Sequence, residues 1–291
     1  MYSVSGRTAF VTGAARGIGA ESARRLHAKG ANVALVGLEP DELERLAAEL
    51  GDRAAAFEAD VTDADALDRA VKGAVDRFGG IDVAIANAGI NMSGTLATGR
   101  VEAIERVLDV NLMGVWRTDR AVLPQITERK GYLLNIASLA AVFHGPMMAP
   151  YAAAKAGVEA LTDSLRVETA PSGARVGCAY FGFIDTDLVR AGLQEPSVQV
   201  MRGEMPGFLS KPIPLSKAVD AIERGVELRS ARVWAPRFVG AALLLRGLLQ
   251  PLTERRAMKS AQLPEALRLA DPAQGGGERD DPVLGTSAAG R

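Results

Sequence analysis

The sequence predicts a single-domain α/β protein: a doubly wound, mostly parallel sheet of about seven strands with helices on both faces. Three observations carry that reading. Short β-branched or apolar runs alternate with longer helical patterns along most of the chain, and such alternation implies right-handed crossovers. The runs that begin at Ile81 and Arg175 are apolar throughout rather than alternating, as expected of strands covered on both faces. A glycine cluster follows the first run and opens a helix.

Taken in order, Thr8–Thr12 reads as the first strand, and 32–36, 54–59 and 81–86 follow it. Residues 132–137 and Arg175–Phe181 continue the series, with 231–234 as a seventh strand. Between them, 42–50 places Leu43, Leu46, Ala47 and Leu50 on one helix face. Asp63 is a good cap for a helix over Ala64–Phe78. There is no internal repeat. The expected layout is one domain over 1–235 with a substrate lid at about 188–214, then a helical extension over 236–270. Residues 271–291 are rich in Gly, Asp and Pro, lack periodicity and are expected to be disordered.

A chain of 291 residues, 48% hydrophobic and 24% charged, can bury one large core. Its net charge of −1 gives no long-range attraction to nucleic acid or to an anionic membrane. Cys178 stands alone, so no internal disulfide can form, and its Arg-Val-Gly-Cys-Ala-Tyr setting suggests a buried strand and a core thiol. The N-terminus does not read as a signal peptide, and a reducing, cytoplasmic setting is expected. With His27 and His144 the only histidines, no histidine-based metal site is expected. The apolar stretch 238–252 is interrupted by Arg246 and is shorter than the roughly 20 residues a membrane span needs.

The glycine cluster is Thr12-Gly13-Ala14-Ala15-Arg16-Gly17-Ile18-Gly19, with Ala20, Ala23, Leu26 and His27 at helical spacing behind it. Glycines there let the backbone approach a pyrophosphate, and the helix start offers free N–H groups to it. A glycine cluster alone also fits a plain strand–helix turn; its place after the first strand favours a dinucleotide. Three residues, not one, separate Gly13 from Gly17. That variant of the Rossmann-type turn resembles the short-chain dehydrogenases/reductases.

The resemblance covers roughly residues 6–234. It implies that Gly13, Ala15, Arg16, Gly17, Ile18 and Gly19 hold the cofactor phosphates. It also implies that Asp60 and Val61 hold the adenine, and that Asn87, Ala88 and Gly89 pass beside the cofactor. Ala86 departs from the family's second Asn. Gly37 stands where an NAD-selecting acid is usual, and Leu38 where NADP users often carry a base. Glu39, 20 residues after Gly19, is near the usual distance for a ribose carboxylate. Arg16 could instead reach a 2′-phosphate. NAD is favoured over NADP, because Glu39 would repel that phosphate.

Tyr151 and Lys155 stand four apart in an alanine-rich helix pattern, so both share one face. An ammonium near the phenol lowers its pKa and lets Tyr151 give or take a proton. Ser138 closes the fifth strand, where ligands collect in open α/β sheets, and its hydroxyl can hold a substrate oxygen. Asn111 lies inside a long helix pattern and could hold a water that links Lys155 to solvent. Spacing alone supports a nucleotide-binding fold with an acid–base pair. The resemblance adds that Asn111, Ser138, Tyr151 and Lys155 form a catalytic set and that Tyr151 and Lys155 also meet the cofactor. It further implies that Gly182, Ile184 and Thr186 hold the nicotinamide end, with Phe181 replacing the usual Pro.

On the substrate side, Leu193, Met201, Met205, Phe208 and Leu209 lie in the lid segment. Met92, Phe143, Met148, Phe183 and Met205 are the candidate pocket walls; His144 and Met147 are near them, and His144 reads as a polar loop residue. Residues 238–252 read as an apolar helix broken at Pro251 and followed by Arg255, Arg256 and Lys259. A lid or a subunit interface is favoured there over a membrane surface. The expectation is an NAD(P)-dependent enzyme interconverting an apolar secondary alcohol and its ketone, as a homodimer or homotetramer. The alternative is a non-redox or regulatory nucleotide-binding protein of the same fold.

Overall fold

In the computed structural model, seven parallel strands form one sheet in the order β3-β2-β1-β4-β5-β6-β7. Residues 1–91, 94–204 and 207–271 are described, 208 and 209 as backbone. The strands are β1 Thr8–Thr12, β2 Asn32–Gly37, β3 Ala54–Glu58, β4 Val83–Ala86, β5 Tyr132–Ile136, β6 Arg175–Phe181 and β7 Arg232–Ala235. The order reverses between β1 and β4, which leaves a crevice at the carboxyl ends of those strands.

Alternate strand residues feed two layers. Ala9, Val11, Val33 and Leu35 pack against α1 (Gly17–Ala28), α2 (Pro40–Leu50) and α10 (Leu215–Leu228). Phe10, Ala34 and Val36 face α3 (Ala64–Phe78) and α5 (Gly114–Glu128) on the other side. Asp63 caps α3 as expected, its carboxylate accepting from the Asp65 and Ala66 amides. Helix α2 starts two residues before the expected boundary, because Pro40 fits a first helical turn. Strand β4 starts two residues late, and Asp82 just before it is fully buried. Its carboxylate takes Arg7 at 2.9 Å, Arg129 at 3.1 Å and the Thr8 amide at 3.0 Å.

Two expectations about helices need correction. The pattern around Asn111 is not one regular helix: α4 (Val101–Leu108) passes into a π-helical turn at Asp109–Met113 and then into α5. The apolar C-terminal segment is not broken at Pro251, since α11 runs from Arg237 to Met258 without interruption. Pro251 is exposed, and the residue four before it is the exposed Gly247. The carbonyl that the proline ring leaves unbonded can therefore reach water. The remaining helices are α6 (Ala149–Thr169), α7 (Asp187–Gln194), α8 (Pro196–Arg202), α9 (Gly207–Ser210) and α12 (Leu263–Leu269). The tail expected to be disordered lies, apart from Asp271, outside the described residues.

A polar junction joins α5, β5 and α6 inside the core. Asn135 Nδ2 donates to Asp119 Oδ2 at 2.8 Å and to Thr162 Oγ1 at 3.0 Å. The Oδ1 atoms of Asp119 and Asn135 have no partner among the described residues. Burial pushes the Asp119 carboxyl up to about 8, against the pull of the Asn135 bond. The folded state thus keeps a proton that the unfolded chain releases near its ordinary 3.8. Stability from this group is fully present below that value and falls as pH rises to about 8. We expect Asp119→Asn to flatten the pH dependence of the urea midpoint over that window and to raise the midpoint at its alkaline end. An unchanged pH profile would place the proton elsewhere.

Candidate active site

The crevice begins with the β1–α1 turn. Gly13 has φ +64°, and a Cβ built there would lie 2.9 Å from Ala88 Cα. At Gly19 a Cβ would lie 2.2 Å from the Gly13 carbonyl oxygen. The turn therefore closes on itself with no room for side chains at either position. Asn87 braces it from β4: its Nδ2 donates to the Thr12 and Gly13 carbonyls at 3.0 and 3.2 Å. Thr12 Oγ1 in turn accepts from the Asn87 and Ala88 amides. Asn87 thus shapes the glycine turn through its Nδ2, and Thr12 is a supporting residue that the sequence reading missed. Ala15 and Ile18 rest partly buried on the core. Helix α1 has no side-chain cap and no acid in its first turn, so its N-terminal amides stay open to an anion.

The adenosine end carries two carboxylates. Glu39 pairs with Arg16 at 2.6 Å, so the two rival determinants of cofactor choice are partners across the mouth of the crevice. A Cβ built on Gly37 would lie 3.6 Å from Glu39 Oε2, which places this carboxylate beside the strand end. Asp60 accepts from the Thr62 amide at 2.8 Å and from Arg106 at 3.1 Å. The Thr62 bonds and the Arg106 guanidinium outweigh burial and hold the Asp60 carboxyl below its usual range. Arg106 stands 46 residues away, and nothing in the sequence ties it to Asp60. The Val61 side chain is buried in the core, so Val61 can meet a ligand only through its backbone.

At the other end the catalytic candidates meet. Ser138 caps a short 3-10 turn at Leu139–Ala141, its Oγ accepting from the Ala140 amide at 3.1 Å. Tyr151, on the first turn of α6, lies beside it. Burial pushes the Tyr151 phenol above its ordinary value, and the Ser138 hydroxyl pulls it back only in part. Lys155 is buried one turn on, donating to the Ile136 carbonyl at 2.9 Å, with Nζ 5.8 Å from the Tyr151 ring centroid. Burial lowers the Lys155 ammonium to about 8. In the protein alone the phenol therefore stands above its ordinary value and not below it, because of burial.

Asn111 sits in the π-helical turn and clamps the β4–α4 loop. Its Oδ1 accepts from the Ile90 amide at 3.1 Å, and its Nδ2 donates to the Ile90 carbonyl at 2.9 Å. Each end of the side-chain amide makes one bond, which leaves one N–H and one oxygen lone pair over. A Cβ built on Gly89 would lie 2.7 Å from Asn111 Oδ1 and 3.7 Å from Lys155 Nζ, so the three residues converge.

Thr186 caps α7, accepting from the Val189 amide at 3.3 Å, and a Cβ built on Gly17 would lie 3.7 Å from its methyl group. It therefore lies across the glycine turn. Ile184 is buried and bridges to Ile213, and Gly182 N donates to the Ala235 carbonyl at 3.0 Å. Phe143 packs against the same core cluster as Phe238 and Leu243 of α11, so it serves the core as much as any pocket. Met148 and Phe183 are partly exposed near the cleft, and His144 is a loop residue whose amide donates to Gln250 Oε1 at 3.0 Å. Met92 and Met205 lie outside the described residues, as do the side chains of Phe208 and Leu209.

Comparison with known proteins gives the following. The family model described as short chain dehydrogenase matches residues 7–196. The chain is 38% identical over 187 residues to "Nodulation protein G" of Rhizobium sp. (strain N33), covering 64% of this chain and 76% of that protein. It is 35% identical to "3beta-hydroxysteroid dehydrogenase 1" of Eggerthella lenta, covering 74% of this chain and 85% of the relative. Among solved structures, a 3-ketoacyl-(acyl-carrier-protein) reductase from Brucella melitensis complexed with NADH superposes with a TM-score of 0.72 at 27% identity. That match covers 80% of this chain and 98% of the other.

Proposed function

This chain belongs to the short-chain dehydrogenase family, and from that premise we propose that it is an NAD(P)-dependent oxidoreductase interconverting an apolar secondary alcohol and its ketone. One observation carries the reading: Ser138, Tyr151 and Lys155 converge at the crevice whose other end is the glycine turn. The bound nicotinamide supplies the hydride acceptor or donor. Gly13, Gly17 and Gly19 with the start of α1 would hold its phosphates, Asp60 its adenine, and Gly182, Ile184 and Thr186 its carboxamide end.

The chain's own groups manage the proton. The Ser138 hydroxyl holds the substrate oxygen beside Tyr151 Oη. In oxidation Tyr151 takes the alcohol proton; in reduction it returns one to the carbonyl oxygen. Lys155 orients this end of the site through its bond to Ile136 and, when charged, favours the phenolate. Asn111 keeps the β4–α4 loop in place against Lys155. An apolar substrate fits the relative named as a hydroxysteroid dehydrogenase and the side chains of Met148 and Phe183 near the cleft.

For cofactor choice we infer NAD, because the Glu39 carboxylate stands beside Gly37, where a ribose diol would come to rest. Titration with NADH and NADPH, followed by reduced-nicotinamide fluorescence, is expected to show tighter NADH binding. Glu39→Ala should weaken NADH roughly tenfold, the scale of a hydrogen bond to a charged group. It should not weaken NADPH, since a repulsive carboxylate leaves and Arg16 is released. Unaltered NADH affinity in that variant would remove Glu39 from the ribose.

A further inference from the structure

Helix α11 is apolar on its outer side. Its inner face is engaged: Val239 and Ala242 are buried, and Arg246 bonds Glu159 of α6 at 2.7 Å. Gln250 on the same face takes the His144 amide. At 3.6 residues per turn, the opposite face carries Leu244, Leu245, Leu248 and Leu252. They are 81%, 50%, 63% and 52% exposed. A surface helix ordinarily turns polar residues outward. The stripe exposes on the order of 400 Å² of apolar surface, the size of a functional patch.

Cations bracket the leucines on the same face. Arg237 stands at one end, Arg255 and Lys259 at the other, and none of the three has a carboxylate partner among the described residues. We propose that this face of α11 docks on an anionic lipid surface, with the leucines at the boundary of headgroups and acyl chains and the three cations among the phosphates. Charge decides against a second copy of the chain. Antiparallel pairing would set Arg237 against Arg255 and Lys259, and parallel pairing would set each cation against itself. The area is also about half of the roughly 800 Å² per partner that a stable interface buries. Residues 272–291 offer only Val283 and Leu284 as large apolar side chains, too few to cover four leucines. No helix among the described residues is long and apolar enough to cross a membrane, so α11 lies on the bilayer rather than through it. The same helix holds the loop before Tyr151 through Gln250 and the turn after α8 through Arg256, which donates to the Glu204 carbonyl at 3.1 Å. Docking therefore sets the substrate cleft close to the lipid.

The test is flotation of the full chain with phosphatidylcholine vesicles and with vesicles enriched in phosphatidylglycerol. At least tenfold more protein is expected on the anionic vesicles, with release by added salt. Leu244→Ser/Leu248→Ser should abolish flotation at an unchanged melting temperature, since both positions are exposed. Arg255→Gln/Lys259→Gln should reduce it more than tenfold, each cation contributing roughly fivefold. A wild-type protein that stays off the anionic vesicles, or a serine variant that still floats, overturns the proposal. So does a dimer in sedimentation velocity that the serine substitutions dissolve without any vesicle binding, because that assigns the face to a second copy. Each readout is independent of turnover, so it stands apart from the proposed reaction.

Discussion

Tyr151→Phe is expected to lower kcat by about a thousandfold while leaving the cofactor dissociation constant within a factor of two. The substitution removes one oxygen and nothing else, and a positioned acid–base group is worth roughly 10² to 10⁴ in rate. The glycine turn, Asp60 and Thr186, which are proposed to hold the cofactor, make no bond to that oxygen. The pH profile adds a second readout. Burial holds the Tyr151 phenol above its ordinary value, so it is protonated across the neutral range. Ketone reduction, which needs the protonated phenol, should hold up at neutral pH and fall only on the alkaline side. Alcohol oxidation should climb as pH rises and the phenolate forms. A Tyr151→Phe variant that turns over at the wild-type rate would sink the acid–base assignment. A variant that loses cofactor affinity as well would make Tyr151 a structural part of the cleft.

Gly19→Ala is expected to weaken NADH and NADPH binding at least a hundredfold. The added methyl would stand 2.2 Å from the Gly13 carbonyl oxygen and 2.7 Å from Asn87 Nδ2. The first neighbour is backbone and the second is held by two carbonyls, so neither yields cheaply. The turn has to open, and opening moves the amides that a pyrophosphate would meet. Overpacking of this kind costs about 1 to 3 kcal/mol of stability, a modest fall in melting temperature with the fold retained. Gly247→Ala is the matched control: it also lies in a helix, but a Cβ there meets nothing within 4 Å. It should leave cofactor binding unchanged and raise helix stability by about 0.5 to 1 kcal/mol. Equal cofactor affinity in the two variants would mean that the Gly13–Gly19 turn does not carry the phosphates.

Much of the fold was legible because its signals are local. The apolar runs of β1 and β6 matched the observed strands end to end, and Asp63 announced the start of α3. Boundaries slipped where a long-range partner intervened. Asp82 delays β4 because two arginines, 75 and 47 residues away, meet on its carboxylate. The helix around Asn111 read as regular, since nothing in its spacing announces that both ends of one amide will bind the Ile90 backbone. In the candidate site, Tyr151 and Lys155 were visible as a pair four residues apart. The supporting groups were not: Thr12, Arg106 and Gln250 act at separations of 46 to 106 residues.

By itself, then, the sequence determined the order of strands and helices along the chain, the glycine turn and the pairing of Tyr151 with Lys155 on one helix face. Each of these depends on periodicity, on backbone freedom at a glycine, or on side chains within one helical turn. Tertiary structure decided what those groups experience. It joined Arg16 to Glu39, placed Asp119 in a core that keeps it protonated, and let burial outweigh the Ser138 bond in holding the Tyr151 phenol up. It also chose which side of α11 meets the body, and so turned four leucines toward solvent. Charge state and exposure depend on the dielectric and the packing built by distant parts of the chain, which a local pattern does not carry.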